Sequence, residues 1–342
     1  MQNLIRMRWH FGFLLAVVAA GVLGVYACTT PENKAEQKAE SVTSDLSTDE
    51  QKKVEELQAE LEIGRNMAGR LLEFYGVYED PKLVRYLNEV AALVAANSEF
   101  PDRRYMIDII EHDQPNAFAC PGGYILLTVG ALKNARSEAE LAAVIGHEIA
   151  HVGLQHMFDQ LKQMDEEKLD EMAGEGEKEQ SLPSDIAVRK RPEPEESSAI
   201  ETVARYVAGS AAGLNVLKAA KAGMSMILEK GLGADLEYEA DQAGIQYAVN
   251  AGYYPYALLN YLCRIKISQG GSKEDCFQKA ATQEGEPETI LEKTHPPIPQ
   301  RIARLQTTLQ TMEAKSIVGA KGKRRFLHYQ RRLTRAASNS TD

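Results

Sequence analysis

The run His147-Glu148-Ile149-Ala150-His151 constrains this chain more than any other feature. On a helix, residues four apart project from one face, about one turn apart. Two imidazoles so placed can share one Zn2+ ion. Glu148 lies beside them, where it can take a proton from a water at that ion. The flanks Val144, Ile145, Gly146 and Val152 make this helix a buried one. Two histidines and a glutamate are costly to bury without a metal or a partner, which sets this pattern apart from two surface histidines.

A structural zinc takes four protein ligands, whereas a catalytic zinc takes three and keeps one position open. The source of a third ligand is Glu237-Tyr238-Glu239-Ala240-Asp241, beginning 86 residues after His151. Glu237 and Asp241 stand one turn apart on the same helix face. Glu237 can ligate. Asp241 can accept the spare ring N–H of a ligand histidine and fix its tautomer. Alone, these acids read as a solvated helix face; beside the paired histidines they complete a metal site.

The net charge of −10 argues against a general nucleic-acid binder, which needs a basic footprint. Arg6 and Arg8 precede an apolar run, Phe11 to Val25, of signal-peptide length and short for a membrane span. The run ends at Val25-Tyr26-Ala27-Cys28, which resembles a bacterial lipobox, although Tyr26 stands where a small residue is usual. Residues 1–27 are therefore expected to be a signal peptide and Cys28 a lipidation site that anchors the chain to a membrane. An ordinary cleaved signal and an uncleaved anchor are the alternatives. Thr29, rather than Asp, after the cysteine suits outer-membrane sorting. Residues 28–50, rich in Lys, Glu, Gln, Ser and Thr, read as a flexible tether.

Residues 51–342 carry the folded domain. Val54, Leu57, Leu61, Ile63 and Met67 recur at helical spacing, and Asp80-Pro81 opens a second helix. Tyr105 to Ile110 and Tyr124 to Val129 are strand candidates around the turn Pro121-Gly122-Gly123. Glu138 to Met157, Ile200 to Ile227, Leu236 to Ala251, Tyr256 to Lys266 and Pro299 to Met312 read as helices. Residues 165–198, rich in Glu, Lys, Pro and Gly, read as a disordered insertion: a mobile lid or a solvated loop. The basic tail, Lys321 to Arg335, reads as a solvated terminal helix or a contact for anionic lipid. An exported chain can oxidise its thiols, so Cys263 and Cys276 can bridge a short loop or stay free, and Cys120 reads as a small buried hydrophobe.

Several pieces then line up in one order: Asn116-Ala117-Phe118, Pro121-Gly122-Gly123-Tyr124, the paired-histidine helix, Glu237 to Asp241 with Gly244, and Thr294-His295-Pro296 with Arg301. Together they resemble the HtpX/CAAX-prenyl-protease family of gluzincins, family forty-eight of the metallopeptidases, in its periplasmic BepA/LoiP-like branch. The resemblance covers residues 55 to 315. It implies an α+β, mostly α, zincin-type metalloprotease domain with a small β-sheet beside the His147 helix. It implies one Zn2+ held by His147, His151 and Glu237, with Glu148 as general base and Asp241 as orienter. The segment Gly123 to Val129 would be the edge strand that pairs with substrate, so that Asn116, Gly123 and Tyr124 would contact it. His295 would either assist the oxyanion or close the zinc as a fourth ligand, with Arg301 as support. His156, five residues beyond His151, lies off the metal face of an unbroken helix and reads as structural.

The implied activity is hydrolysis of peptide bonds in misfolded or misassembled envelope proteins. The implied place is the periplasmic face of a bacterial outer membrane. The alternative is a latent or non-catalytic chaperone-like binding protein with His295 closing the metal. Insertion 165–198 departs from the family pattern, and partner binding through tetratricopeptide repeats is not carried over.

Overall fold

The computed structural model describes residues 47–178, 216–272, 276, 290–314 and 317–339. The signal peptide, the Cys28 lipidation site and nearly all of the tether lie outside the described residues. Residues 53–342 form the compact unit that carries the site.

Two helices open the described chain, α1 (Thr48–Tyr75) and α2 (Pro81–Ala95). Asp80 caps α2, its carboxylate accepting from the N–H groups of Lys82 and Leu83, and Pro81 fills the first turn, where no N–H is needed. A three-stranded sheet follows, with β1 (Met106–Ile110), β2 (Ala117–Cys120) and β3 (Tyr124–Thr128) in the order β1-β3-β2. β3 runs parallel to β1 and antiparallel to β2. Its sequence Tyr-Ile-Leu-Leu-Thr suits burial on both faces: Ile125 and Leu127 enter one core and Leu126 the other.

This strand order corrects one expectation. The segment from Tyr124 is the central strand, not an edge. It hydrogen-bonds neighbours on both sides, so its backbone has no side left for a peptide. The edges are β1 and β2, and among the described residues no strand pairs with the outer side of β2, a segment the sequence pattern had left without a structure of its own.

After the short α3 (Val129–Asn134) comes α4 (Glu138–Gly153), the helix of the paired histidines. Ser137 caps it by accepting from the Glu140 N–H, and acidic Glu138 and Glu140 suit its N-terminal dipole. All sixteen of its residues are buried, Glu138, Glu140, His147, Glu148 and His151 included, so its polar groups need partners. The expected single helix to Met157 instead breaks at Gln155, which adopts a left-handed φ of 56°, and α5 (His156–Gln163) starts in a new direction.

Next come α6 (Glu166–Lys178) and α7 (Val216–Ser225). A π-helical turn, Met226–Lys230, leads to α8 (Ala234–Asn250). The expected disordered insertion does not hold over α6, where Leu169, Met172 and Ala173 are buried, Leu169 and Met172 in the core shared with α7. Residues 179–198, the rest of that segment, lie outside the described residues.

The C-terminal part holds α9 (Ala257–Ser268), α10 (Ile290–Thr294), α11 (Ile298–Thr311) and α12 (Lys323–Asn339). The basic tail is docked rather than solvated: Phe326 and Leu333 are buried, Arg325 pairs with Glu138, and Arg332 holds Asp80 at 2.6 and 2.9 Å. Cys263 and Cys276 are joined in a disulfide, and Cys120 is a buried free thiol.

One core lies between α2, one sheet face, α4, α8, α9 and α11; the other lies between α1, the opposite sheet face and α5 to α7. The fold is thus α+β and mostly helical. No helix among the described residues is long and apolar enough to cross a membrane.

Candidate metal centre

The site exists because α4 and α8 approach at a pair of glycines. A Cβ on Gly146 would lie 2.7 Å from the Gly244 carbonyl oxygen, and one on Gly244 would lie 2.5 Å from the His147 nitrogen. Any side chain at either position would push the helices apart. The close crossing sets Asp241 and Glu237, one and two turns before Gly244, against His147 and His151 on α4.

Four side-chain groups converge there. The Nε2 atoms of His147 and His151 are 3.1 Å apart. The Glu237 carboxylate lies 3.5 Å from each of these nitrogens. His295, in the turn between α10 and α11, brings its Nε2 to 3.4 Å from the same carboxylate. Zinc takes tetrahedral N and O ligands at about 2.0–2.1 Å, which sets donors about 3.3 Å apart. The observed spacings fit that shell. His147, Glu237 and His295 all offer donor atoms within 4.8 Å of one another.

The charges fit as well. Burial would depress the basicity of His147, but the Asp241 and Glu237 carboxylates outweigh it and hold the imidazole at about 10. Burial would raise the Glu237 carboxyl, yet His295, His151 and His147 hold it well below the usual carboxylate range. Asp241 has a cation of its own: Arg301 donates to it from Nε at 2.9 Å and Nη2 at 2.6 Å, and against its burial this keeps it at about 2. The Asp241 Oδ1 that accepts from Arg301 Nη2 also lies 3.0 Å from His147 Nδ1, behind the ring, at an angle that does not make a hydrogen bond. Burial pushes Glu148 up to about 7, with His147 opposing the rise and Glu237 reinforcing it. Burial takes His295 down to about 4.

Glu148 lines two pockets. The first has Asn116, Val144, Leu258, Tyr261, Leu262 and Ile265 in its wall. The second is bounded by Phe118, Met157, Met226, Ile227 and Leu232. Ala117 of β2 borders both. Asn116, just before β2, is locked by backbone hydrogen bonds to Thr128, and its Oδ1 accepts from the Ala117 N–H, while its buried Nδ2 has no partner among the described residues.

The structure brings His147, Glu148, His151, Glu237, Asp241, His295 and Asn116 together. Gly123 and Tyr124 are not among them. Gly123 backs onto the Arg104 carbonyl oxygen, 1.9 Å from where its Cβ would stand, and Tyr124 begins the central strand. The sequence reading also missed His156, whose Nδ1 lies 3.0 Å from His151 Nδ1.

The model for Peptidase family M48 matches residues 81–309. The chain belongs to this family. M48 peptidases are zinc-dependent in general, and the site has the donor set such an ion needs. Beta-barrel assembly-enhancing proteases are among the similar proteins. That of Yersinia pestis is 27% identical over 186 residues, 54% of this chain and 33% of that protein. That of Escherichia coli is 25% identical over 244 residues, 71% of this chain and 42% of that protein. The mitochondrial metalloendopeptidase OMA1 of Schizosaccharomyces pombe is 30% identical over 156 residues, 46% of this chain and 43% of that protein. The chain thus spans well under half the length of these relatives. They support the M48 assignment and a likeness to the assembly-enhancing branch rather than to the HtpX/CAAX group in particular.

Proposed function

We propose that this M48 chain is a zinc-dependent endopeptidase of the cell envelope that cleaves misfolded or misassembled proteins. The observation that carries the reading is the meeting of His147 Nε2, His151 Nε2 and the Glu237 carboxylate, at 3.1–3.5 Å from one another, beside Glu148 and the edge strand β2.

His147, His151 and Glu237 would hold the ion. When bound, zinc supplies Lewis acidity to a carbonyl and brings the pKa of water at the site toward neutrality. Glu148 takes the proton from the attacking water on its carboxylate and delivers it to the leaving amine. Asp241, fixed by Arg301, holds His147 with Nδ1 as the N–H and Nε2 free to ligate. An extended substrate adds to the outer side of β2, and its backbone hydrogen bonds hold a peptide with little demand on sequence. Asn116 Nδ2 is a donor available to a substrate carbonyl. The developing oxyanion has two sources of stabilisation, His295 and the backbone N–H groups of β2.

The envelope part of the proposal draws on the name of the bacterial relatives and on the signal-like segment ending at Cys28. A lipid anchor on Cys28 would hold the domain at the periplasmic face of the outer membrane. The experiment is cleavage of an unfolded protein by the wild type and by Glu148→Gln. The variant should keep zinc and lose turnover; unchanged turnover removes Glu148 from the mechanism.

One observation favours a second reading. His295 Nε2 is close enough to Glu237 to serve as a fourth ligand, which would make a latent enzyme or a zinc-bound binding protein. Activity appearing only in His295→Ala supports the latent form. Zinc binding without activity in either protein supports the binding form.

A further inference from the structure

Each of the two ligand histidines has a second ring nitrogen facing away from the cation. That of His147 meets Asp241 directly. That of His151 meets a different group. His151 Nδ1 lies 3.0 Å from His156 Nδ1, with the two rings 5.0 Å apart and nearly perpendicular at 82°. His156 Nε2 lies in turn 3.4 Å from the Glu239 carboxylate. His156 is buried, whereas the Glu239 side chain is 57% exposed.

Hydrogen-bond chemistry allows one arrangement of protons that leaves His151 able to ligate. Its Nε2 must be bare, so its Nδ1 carries the proton and donates to His156 Nδ1. His156 Nδ1 must then be bare as well, and its own proton sits on Nε2, toward Glu239. The opposite arrangement, with His156 donating to His151, would put a proton on His151 Nε2 and block the metal. The Glu239 carboxylate, in ion-pair range at 3.4 Å rather than in a formed hydrogen bond, favours the first arrangement, because its charge draws the His156 proton to Nε2.

The fold builds this contact deliberately. In a continued α4, His156 would stand about 140° around the helix from His151. The left-handed Gln155 swings it back behind the ligand ring. Gln155 is itself held: its Nε2 donates to Glu60 at 2.9 Å, and buried Glu60 also accepts from Arg103 at 2.6 Å and from the Gly122 N–H at 3.1 Å.

We infer that His156, with Glu239 behind it, is the positioning residue for His151: it fixes that ligand's tautomer and ring plane and thereby sets the affinity of the site for zinc. The inference rests on the reading of this site as a zinc centre, and the test keeps the two apart.

The test uses the purified chain stripped with chelator and titrated with zinc against a chromophoric competitor. The wild type should bind one ion. His156→Leu removes the acceptor at similar volume and should weaken binding roughly 10–100-fold, the usual consequence of losing such a partner. His156→Asn returns an oxygen near the lost Nδ1 and should restore most of that loss. Glu239→Leu, at a largely exposed position, should fold normally and weaken binding by a smaller factor, which covers the case in which His156→Leu does not fold. Nitrogen-15 shifts of the metal-free protein give a second readout: His151 should be an Nδ1–H tautomer in the wild type and a mixture in His156→Leu. Unchanged affinity and tautomer in both leucine variants overturn the inference and leave the zinc reading standing. A wild type that binds no zinc at this site overturns the zinc reading first.

Discussion

Asp241→Asn separates two jobs held by one buried carboxylate. Asp241 and Arg301 are both nearly inaccessible, at 1% and 3% exposure, and are joined by two hydrogen bonds of 2.9 and 2.6 Å. Removing one partner of a buried ion pair costs about 3–5 kcal/mol, because the other charge stays buried without compensation. The asparagine oxygen can still accept one hydrogen bond from Arg301, so the expected loss lies near the lower end, about 3 kcal/mol. For a unit of this size that lowers the melting midpoint by roughly 5 °C. The measurement is thermal unfolding in excess chelator, so that metal loss does not contribute. The double variant Asp241→Leu/Arg301→Met removes the charge from both sides and should regain most of that stability, since a buried pair replaced by apolar groups is often neutral. Its zinc affinity should nevertheless stay roughly 10–100-fold low, because His147 Nδ1 has lost the carboxylate behind it. Metal-free Asp241→Asn melting within about 2 °C of the wild type would refute the pairing argument. Full zinc affinity in the double variant would refute the orienting role.

Four further outcomes are expected. Burial would raise the Glu138 carboxyl, but Arg325, Tyr86 and Tyr253 hold it below its ordinary 4.5; its stabilisation is therefore present above that pH and is lost as pH falls through the lower folded value. Glu138→Gln should cost about 1–2 kcal/mol at pH 7, discounted because Arg325 is largely exposed, and the gap from wild type in pH-dependent melts should close on acidification. Gly244→Ala drives a Cβ to 2.5 Å from the His147 nitrogen and should lower both melting midpoint and zinc affinity. In contrast, Gly69→Ala on the exposed side of α1 meets nothing within 4 Å and should stabilise by about 0.5–1 kcal/mol. Finally, the melting midpoint should rise with free zinc by ligand linkage, and Glu237→Ala should abolish that dependence.

The metal site was largely legible because helical periodicity carries it. His147, His151, Glu237 and Asp241 each follow a four-residue spacing, and that spacing survives folding unchanged. The glycine pair Gly146 and Gly244 makes the helices meet, although only the structure shows that these two touch. Strand order was not legible. The segments Ala117 to Cys120 and Tyr124 to Thr128 are both almost wholly buried, so no pattern marks either as edge, and the edge implied by the family resemblance fell on the wrong strand. His156 was dismissed by extending a helix through Gln155. Nothing local forces a left-handed glutamine there; the distant Glu60, 95 residues earlier, holds it. In α6, Leu169, Met172 and Ala173 have helical spacing, but the acidic and Pro-rich composition of the wider 165–198 window masked them.

The central claim is that two helices distant in sequence supply one cation with two imidazoles and a carboxylate. An anomalous-difference map at the zinc absorption edge, from crystals grown with zinc, tests it most directly. One peak bonded to Nε2 of His147, Nε2 of His151 and the carboxylate of Glu237 is the expected result. A peak elsewhere, or one that Glu237 does not touch, contradicts the account.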